Sequence, residues 1–389
     1  MSKFTFSDGG DICVYDGGAV KRYKSAYIES YKQNLENINR SKQWKQSGSG
    51  AVFRGDELVA ENANYNISGV YQTSDENILA YTFTVNQTSG IYKKDITAEN
   101  SPETHVINSH ELTFNGGCYN AGSDTLVTSI KRNYYNADIG VFNVASGDYK
   151  TVTDGDTLDE EPSFSPDDEN VIYYSSRGVG RNSHGEFICF SPAAIYRLDL
   201  NKMDLMEVKS SEKFSYFKPI MHGGKLYAIK APIKQKSGNA FIDFLLVPWR
   251  ILQAIAGFLR LFINAFSGKS VTSEGNNPAK GKNYDSKKIE IKGNLIDVEK
   301  VQKENAGKKD KDYGYVPSSW QLIEVESGQV IKSGVADYDI DSDGTIIATN
   351  GRRIFEIKDG KSSKLCDVEK CFSVNCKHEI NHNSNLFDF

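Results

Sequence analysis

Residues 161–200 contain the run Glu161-Pro162-Ser163-Phe164-Ser165-Pro166-Asp167-Asp168-Glu169-Asn170 and then Val171-Ile172-Tyr173-Tyr174-Ser175-Ser176-Arg177. After a polar loop comes Ala194-Ile195-Tyr196-Arg197-Leu198-Asp199-Leu200. Physically this is strand, tight turn, strand, loop, strand. Pro, Asp and Asn supply the turn, and Val171 to Ser175 is a short apolar run of strand type. The same unit recurs along the chain. Upstream copies are Ser74–Tyr81 followed by Gly90–Ile96, and Gly122–Thr128 followed by Ile139–Val144. Downstream, His222–Ile229 has its third strand displaced to Trp320–Val325, and Ser342–Ala348 is followed by Arg353–Ile357. Repeats of about 40–50 residues with four strands each are the mark of propeller blades.

Five units are visible in this way. The two ends supply a sixth: Phe4–Tyr15 reads as strand, turn and strand, and a last strand lies near Cys371–Asn375. Pairing the ends in one sheet closes a ring and protects its edges. The expected fold is therefore an all-β, six-bladed β-propeller spanning residues 1–389, with an inserted amphipathic helix. A count of seven follows if Gly50–Ala60 is taken as a separate unit.

Composition agrees with this reading. The 389 residues include 21 Tyr, 20 Phe and 33 Gly but 9 Pro, a balance suited to pleated strands and tight turns rather than to disorder or a helical bundle. The net charge of −5 gives no general attraction to nucleic acid, and none is expected as a partner.

The stretch from Glu161 to Leu200 resembles the TolB-type propeller repeat. That pattern is Pro-x-Phe-Ser-Pro-Asp-Gly, an apolar strand, Ser-x-Arg, and then Ile-Tyr-x-x-Asp-Leu. Pro162, Phe164, Ser165, Pro166, Asp167, Ser176, Arg177, Ile195, Tyr196, Asp199 and Leu200 match it, while Asp168 stands where the turn glycine is usual. One copy matches well, one moderately and three loosely, so the likeness covers most of the chain as architecture. It implies a propeller fold and leaves the activity open, because some TolB-like propellers are lyases or carry peptidase domains. Six blades and their insertions leave no room here for an attached hydrolase domain.

Two stretches interrupt the blade rhythm. Residues 24–45 place Tyr27, Tyr31, Leu35 and Ile38 at helical spacing, which predicts a helix packed on the ring or docking a partner. Residues 233–314 form a larger insertion. Its 240–267 portion is apolar enough to span a bilayer, but a single crossing would put two halves of one sheet on opposite sides of the membrane. At 100° per residue, Asp243, Arg250, Gln253, Gly257, Arg260, Asn264 and Ser267 gather within about 120° of arc. Phe241, Phe244, Leu245, Leu252, Ile255, Phe258, Leu259, Phe262 and Phe266 are among those on the remaining face, with Leu246 and Trp249 intruding on the polar stripe. A wide apolar face suits a helix lying in a membrane interface; a protein partner, a second copy or the ring itself are the alternative covers. Gly268–Asp285 reads as a flexible linker, and Lys288–Asp297 as a small hairpin with a Gly-Asn turn.

Motifs for catalysis are scarce. There is no P-loop, G-x-S-x-G, H-E-x-x-H or dinucleotide fingerprint, and no cofactor is expected. The richest polar loop offers Arg177, Arg181, His184 and Glu186, which suit an anion or acid–base work. Asp337-x-Asp339-x-Asp341-x-Asp343-Gly344 resembles the start of a calcium loop, but Asn350 stands where a bidentate Glu is wanted. Cys366, Cys371 and Cys376, with His378 and His382, have zinc-type side chains without zinc-type spacing. They read as small buried hydrophobes followed by a frayed polar tail. The N-terminus shows no basic and apolar leader, so thiols and a cytoplasmic location are expected, with peripheral membrane association through 240–267. The expected function is non-catalytic recognition or scaffolding at a membrane surface or on a partner. A TolB-like lyase or hydrolase with its site in the central channel is the alternative.

Overall fold

The burial pattern of the strands explains the architecture. Strand after strand is buried on both faces over most of its length, as in Ile-Leu-Ala-Tyr-Thr-Phe at 78–83 and Val-Ile-Tyr-Tyr-Ser-Ser-Arg at 171–177. Sheets that are covered on both sides must stack on one another. The computed structural model describes residues 2–43, 65–98, 101–181, 184, 187–202, 204–233, 288–306 and 314–380.

The chain opens with β1 (Lys3–Asp8), β2 (Asp11–Asp16) and β3 (Ala19–Tyr23), followed by α1 (Ala26–Gln43). Next come β4 (Tyr65–Gln72), β5 (Ile78–Val85), β6 (Thr88–Asp95) and β7 (Glu103–Ser109). Then follow β8 (Thr113–Asn120), β9 (Thr125–Lys131), β10 (Ala137–Asn143) and β11 (Tyr149–Thr151). The quoted repeat forms β12 (Thr157–Phe164), β13 (Val171–Arg181), β14 (Phe187–Phe190), β15 (Ala194–Asp199) and β16 (Asp204–Lys209). After β17 (Phe214–His222) and β18 (Lys225–Pro232) lie β19 (Lys288–Ile291), β20 (Asn294–Asp297) and α2 (Val298–Ala306). The last elements are β21 (Gln321–Glu324), β22 (Val330–Ser333), β23 (Asp337–Ile340), β24 (Ile346–Thr349), β25 (Arg353–Lys358), β26 (Lys361–Asp367) and β27 (Val374–Asn375).

Four sheets are four-stranded: β27-β1-β2-β3, β4-β5-β6-β7, β17-β18-β21-β22 and β23-β24-β25-β26. A longer path joins β8-β9-β10-β11 to β12-β13-β15-β16 through one parallel pair, Ala137↔Leu158, with β14 added to β13. The first strands of these groups are neighbours in a closed circle: β27, β4, β8, β12, β17, β23 and back to β27. This is a mostly β, propeller-like arrangement. The ends of the chain meet where β1 pairs with β27, Thr5↔Asn375 and Phe6↔Val374.

The apolar core is divided among the wedges between sheets. Phe4 and Phe6 pack with Ile347, Ile354 and Val374, and Val127, Ile139 and Val141 pack with Phe164, Ile172 and Leu198. Helix α1 covers another wedge. Ile28 and Leu35 are buried, Tyr27 and Tyr31 pack beside them, and Ile38 is exposed. Ser25 Oγ accepts from Ile28 N–H (3.3 Å), and the Glu103 carboxylate accepts from Ala26 and Tyr27 N–H (3.0 and 3.3 Å). An acid at the N-terminus complements both the open donors and the helix dipole.

The inner strands are irregular where they line the channel. Register shifts fall at Ile67/Gly69 in β4, Asn115/Gly117 in β8, Glu160/Ser163 in β12 and Phe217/Ile220 in β17. A bulge re-aims a side chain, and here it does so at Glu161 (φ 56°) and Lys218 (φ 47°).

Most of the described chain belongs to one compact unit, Met1–Pro232 with Ile289–Phe389. The other unit, Ile233–Lys288, contains the 240–267 stretch and the linker, which lie outside the described residues, as does Gly50–Ala60. The hairpin expected at 288–297 is present as β19 and β20. Its turn is corrected by one residue. Lys292 and Gly293 occupy the two left-handed positions (φ 48° and 64°), and Asn294 begins the second strand. Helix α2, not foreseen from the sequence, is short and starts at an Asp297 cap on Lys300 N–H (3.0 Å). A second correction concerns residues 377–380. Cys376 is buried as expected, and the segment after it is not frayed: Ile380 is buried against the ring as well.

Candidate functional site

The loop singled out by its polar residues is divided between separate partners. Arg177 is buried on β13, stacks over the Phe217 ring (5.0 Å), donates to the carbonyl of Lys292 and faces Glu160 (3.6 Å). Arg181, at the strand's end, pairs with Asp156 through two nitrogens (2.5 and 2.6 Å), which holds that carboxyl down at about 2. His184 lies exposed on the turn between β13 and β14, and Glu186 lies outside the described residues. The structure thus engages the two arginines with different acids and does not gather them around one ligand position.

A denser constellation fills the channel. Lys292 Nζ, carried on its left-handed turn, donates to Glu161 Oε2 (2.8 Å) and Asp337 Oδ1 (2.9 Å). Its side chain is only 4% exposed. Lys218 Nζ donates to Asp337 Oδ2 (2.6 Å) and to the Val374 carbonyl (3.4 Å), and Val374 N–H donates to the same carboxylate oxygen (2.9 Å). Beside them Lys131 pairs with Glu160 (2.8 Å). Burial disfavours the ammonium of Lys292, but Asp337 and Glu161 outweigh it and hold that group above its ordinary value. Burial likewise opposes the charge of Glu160, and Lys131 and Arg177 reverse the effect and hold its carboxyl low. Each of the three carboxylates meets at least one buried cation, so the hairpin turn is seated against the inner strands by ion pairs.

At the C-terminal ends of the inner strands lies a cavity of about 210 Å³. Lys218, His222, Asp339, Lys377 and His378 line it together with Cys118. His378 Nε2 lies 2.9 Å from Asp339 Oδ2, which also accepts from Cys376 N–H (2.7 Å). Burial works against the imidazolium, yet the Asp339 carboxylate and its hydrogen bond prevail and raise the His378 pKa; in return Asp339, despite burial, is held low. The pair can hold a proton at Nε2 beside a cavity large enough for a small polar molecule. The thiol at its wall is no nucleophile near neutrality, because desolvation pushes Cys118 up to about 12.

The Asp337–Asp343 run is a strand and its turn rather than a cation loop. Asp337 meets the two lysines, Asp339 meets His378, Asp341 accepts from Ser342 N–H, and Asp343 pairs with Lys358 (2.8 Å). Among the described residues no group of three or more His, Cys, Asp or Glu is placed to hold a metal. All six cysteines are free thiols; Cys371 and Cys376 are buried and Cys366 partly so.

None of Lys218, Lys292, Glu161, Asp337, Asp339 and His378 was singled out as a ligand-type site residue by sequence, beyond the aspartates of the loop-like run and the histidine near the cysteines. One local signal was available. Glu161-Pro162 and Lys218-Pro219 place a charge before proline in the first strand of successive repeats, where a proline removes a ladder donor.

Comparison with known proteins sets this geometry in context. No family model matches the chain, and no curated relative matches it. Among solved structures it is similar to TolB from Acinetobacter baumannii, with 9% identity over 96% of this chain and 64% of that one, at a TM-score of 0.46. It also aligns with the tricorn protease, with 11% identity over 96% of this chain and 34% of that one, at 0.44. An oligogalacturonate lyase in complex with manganese aligns at 9% identity over 79% and 66%, at 0.39. The chain therefore spans less than two thirds of the TolB and tricorn chains. At these scores the fold rests on the strand pairing described above.

Proposed function

We propose that this chain is a six-bladed propeller acting as a non-catalytic recognition scaffold in the cytoplasm, held at a membrane surface by residues 240–267. The count of six follows from splitting the longer path at its single parallel pair, which leaves six four-stranded groups around one circle. One observation supports the non-catalytic reading: the chain's own Lys292 turn is ion-paired to the inner-strand acids Glu161 and Asp337. A propeller enzyme, lyase or hydrolase, needs an open reactive group in the channel. Among the described residues the His378–Asp339 pair beside the cavity favours that alternative, and the high thiol pKa of Cys118 weighs against it.

The membrane part rests on the amphipathic pattern of 240–267. Each large side chain buried from water there contributes roughly 1.5–3 kcal/mol. Among the described residues no helix is long and apolar enough to cross a membrane. Deleting residues 238–268 should move the protein from the membrane pellet to the soluble fraction. An unchanged distribution would sink the recruitment reading.

A further inference from the structure

The segment that follows β27 is held at the channel mouth as a bound peptide would be. Asn120, at the end of β8, is fully buried, and its amide reads the backbone of Ile380 in both directions. Ile380 N–H donates to Asn120 Oδ1 (2.9 Å), and Asn120 Nδ2 donates to the Ile380 carbonyl (3.0 Å). The same Nδ2 reaches Glu169 (2.9 Å), which fixes the orientation of the amide. Ala121 N–H donates to the His378 carbonyl (2.8 Å), and Asn120 and His378 form an isolated parallel bridge.

The side chains alternate as they do along an extended ligand. His378 points in to Asp339, Glu379 is exposed, and Ile380 is buried in an apolar pocket with Phe164, Ile172 and Leu200. Main-chain hydrogen bonds give affinity to any extended segment, and pockets for alternate side chains give selectivity. Ring closure does not need residues 377–380, because β27 ends at Asn375 and already pairs with β1, whereas Cys376 belongs to the core beside Phe4, Phe6 and Val374.

We propose that this mouth is a binding site for an extended peptide bearing a histidine and, two residues later, an aliphatic side chain, and that residues 378–380 occupy it in cis. The partner is then a protein whose segment of that chemistry displaces the chain's own. This deepens the reading of the ring as a recognition scaffold, and its readout is independent of residues 240–267.

The test uses the full-length chain and a fluorescein-labelled peptide of residues 376–382, titrated by anisotropy. Wild type should bind it weakly, because the tail competes. Ile380→Asp in the protein should expel the tail and tighten peptide binding about ten-fold or more. Adding Asn120→Ala should remove that gain, since a lost hydrogen-bond pair of this kind is worth about ten-fold. No tightening in the Ile380→Asp protein, or binding unaffected by Asn120→Ala, overturns the proposal. If Ile380→Asp loses its near-ultraviolet dichroism, hydrogen exchange on wild type decides instead. The Ile380 amide should exchange through a local opening insensitive to low urea; its exchange only through global unfolding refutes a separable ligand.

Discussion

Replacing Lys292 by methionine removes a buried cation shared by Glu161 and Asp337 while keeping much of its volume. Truncating one partner of a buried ion pair costs about 3–5 kcal/mol, most of it the penalty of the charge left behind. Two features lower that figure here. Asp337 keeps Lys218 (2.6 Å) and Val374 N–H (2.9 Å), and Glu161 is 21% exposed, so water reaches it in part. The expected loss is about 2–4 kcal/mol. Urea denaturation followed by tryptophan fluorescence reads it, because Trp320 stacks on Phe217 (5.7 Å), the ring beneath Arg177. Hydrogen exchange at 288–297 separates release of the hairpin from loss of the ring. Combining Lys292→Met with Glu161→Gln leaves no orphaned glutamate, so the double variant should lose less than the sum of the singles, by about 1 kcal/mol or more. A loss below about 0.5 kcal/mol for Lys292→Met, with exchange of the hairpin unchanged, would refute its seating by ion pairs.

Three further outcomes are expected. The His378–Asp339 pair should stabilise the fold most between the ordinary aspartate value of 3.8 and the ordinary histidine value of 6.5. The depressed acid loses its contribution as pH falls through its folded pKa, and the raised histidine loses its own as pH rises through its folded pKa. Asp341, Lys218, Lys377 and His222 also face this region, so His378→Gln should flatten the alkaline limb of a melting-temperature profile, and an unaltered limb would contradict the assignment. Gly117→Ala should cost about 2–4 kcal/mol in thermal melts, because φ is +141° and a Cβ would lie 2.0 Å from the Val127 carbonyl oxygen. Iodoacetamide on the native protein should label exposed Cys189 first, since burial lifts Cys13 to about 12 and Cys366 to about 11; fast labelling of either would contradict that burial.

Much of the fold could be read locally. Pro-Asp-Asp-Glu-Asn makes its turn wherever it stands, and Val171–Ser175 is a strand by its own chemistry. The period of about 40–50 residues then names the architecture. Residues 377–380 run against the expectation that a polar run at a chain's end frays, and what orders them is Asn120, some 260 residues away. The turn of the 288–297 hairpin slipped by one residue for a related reason. Gly-Asn and Lys-Gly are both permissive pairs, and the channel acids that favour Lys292 at the left-handed position come from β12 and β23.

By itself, the sequence determined most of the strands and the turns inside the clearest repeats, because period-two patterning and turn chemistry act over a few residues. Only the tertiary structure decided which charges matter. On an inner strand Lys218, Glu161 and Asp337 look like ordinary solvent-facing positions. Closing the circle turns that face inward, where charges from distant strands and the Lys292 turn must neutralise one another in a medium that penalises any left unpaired.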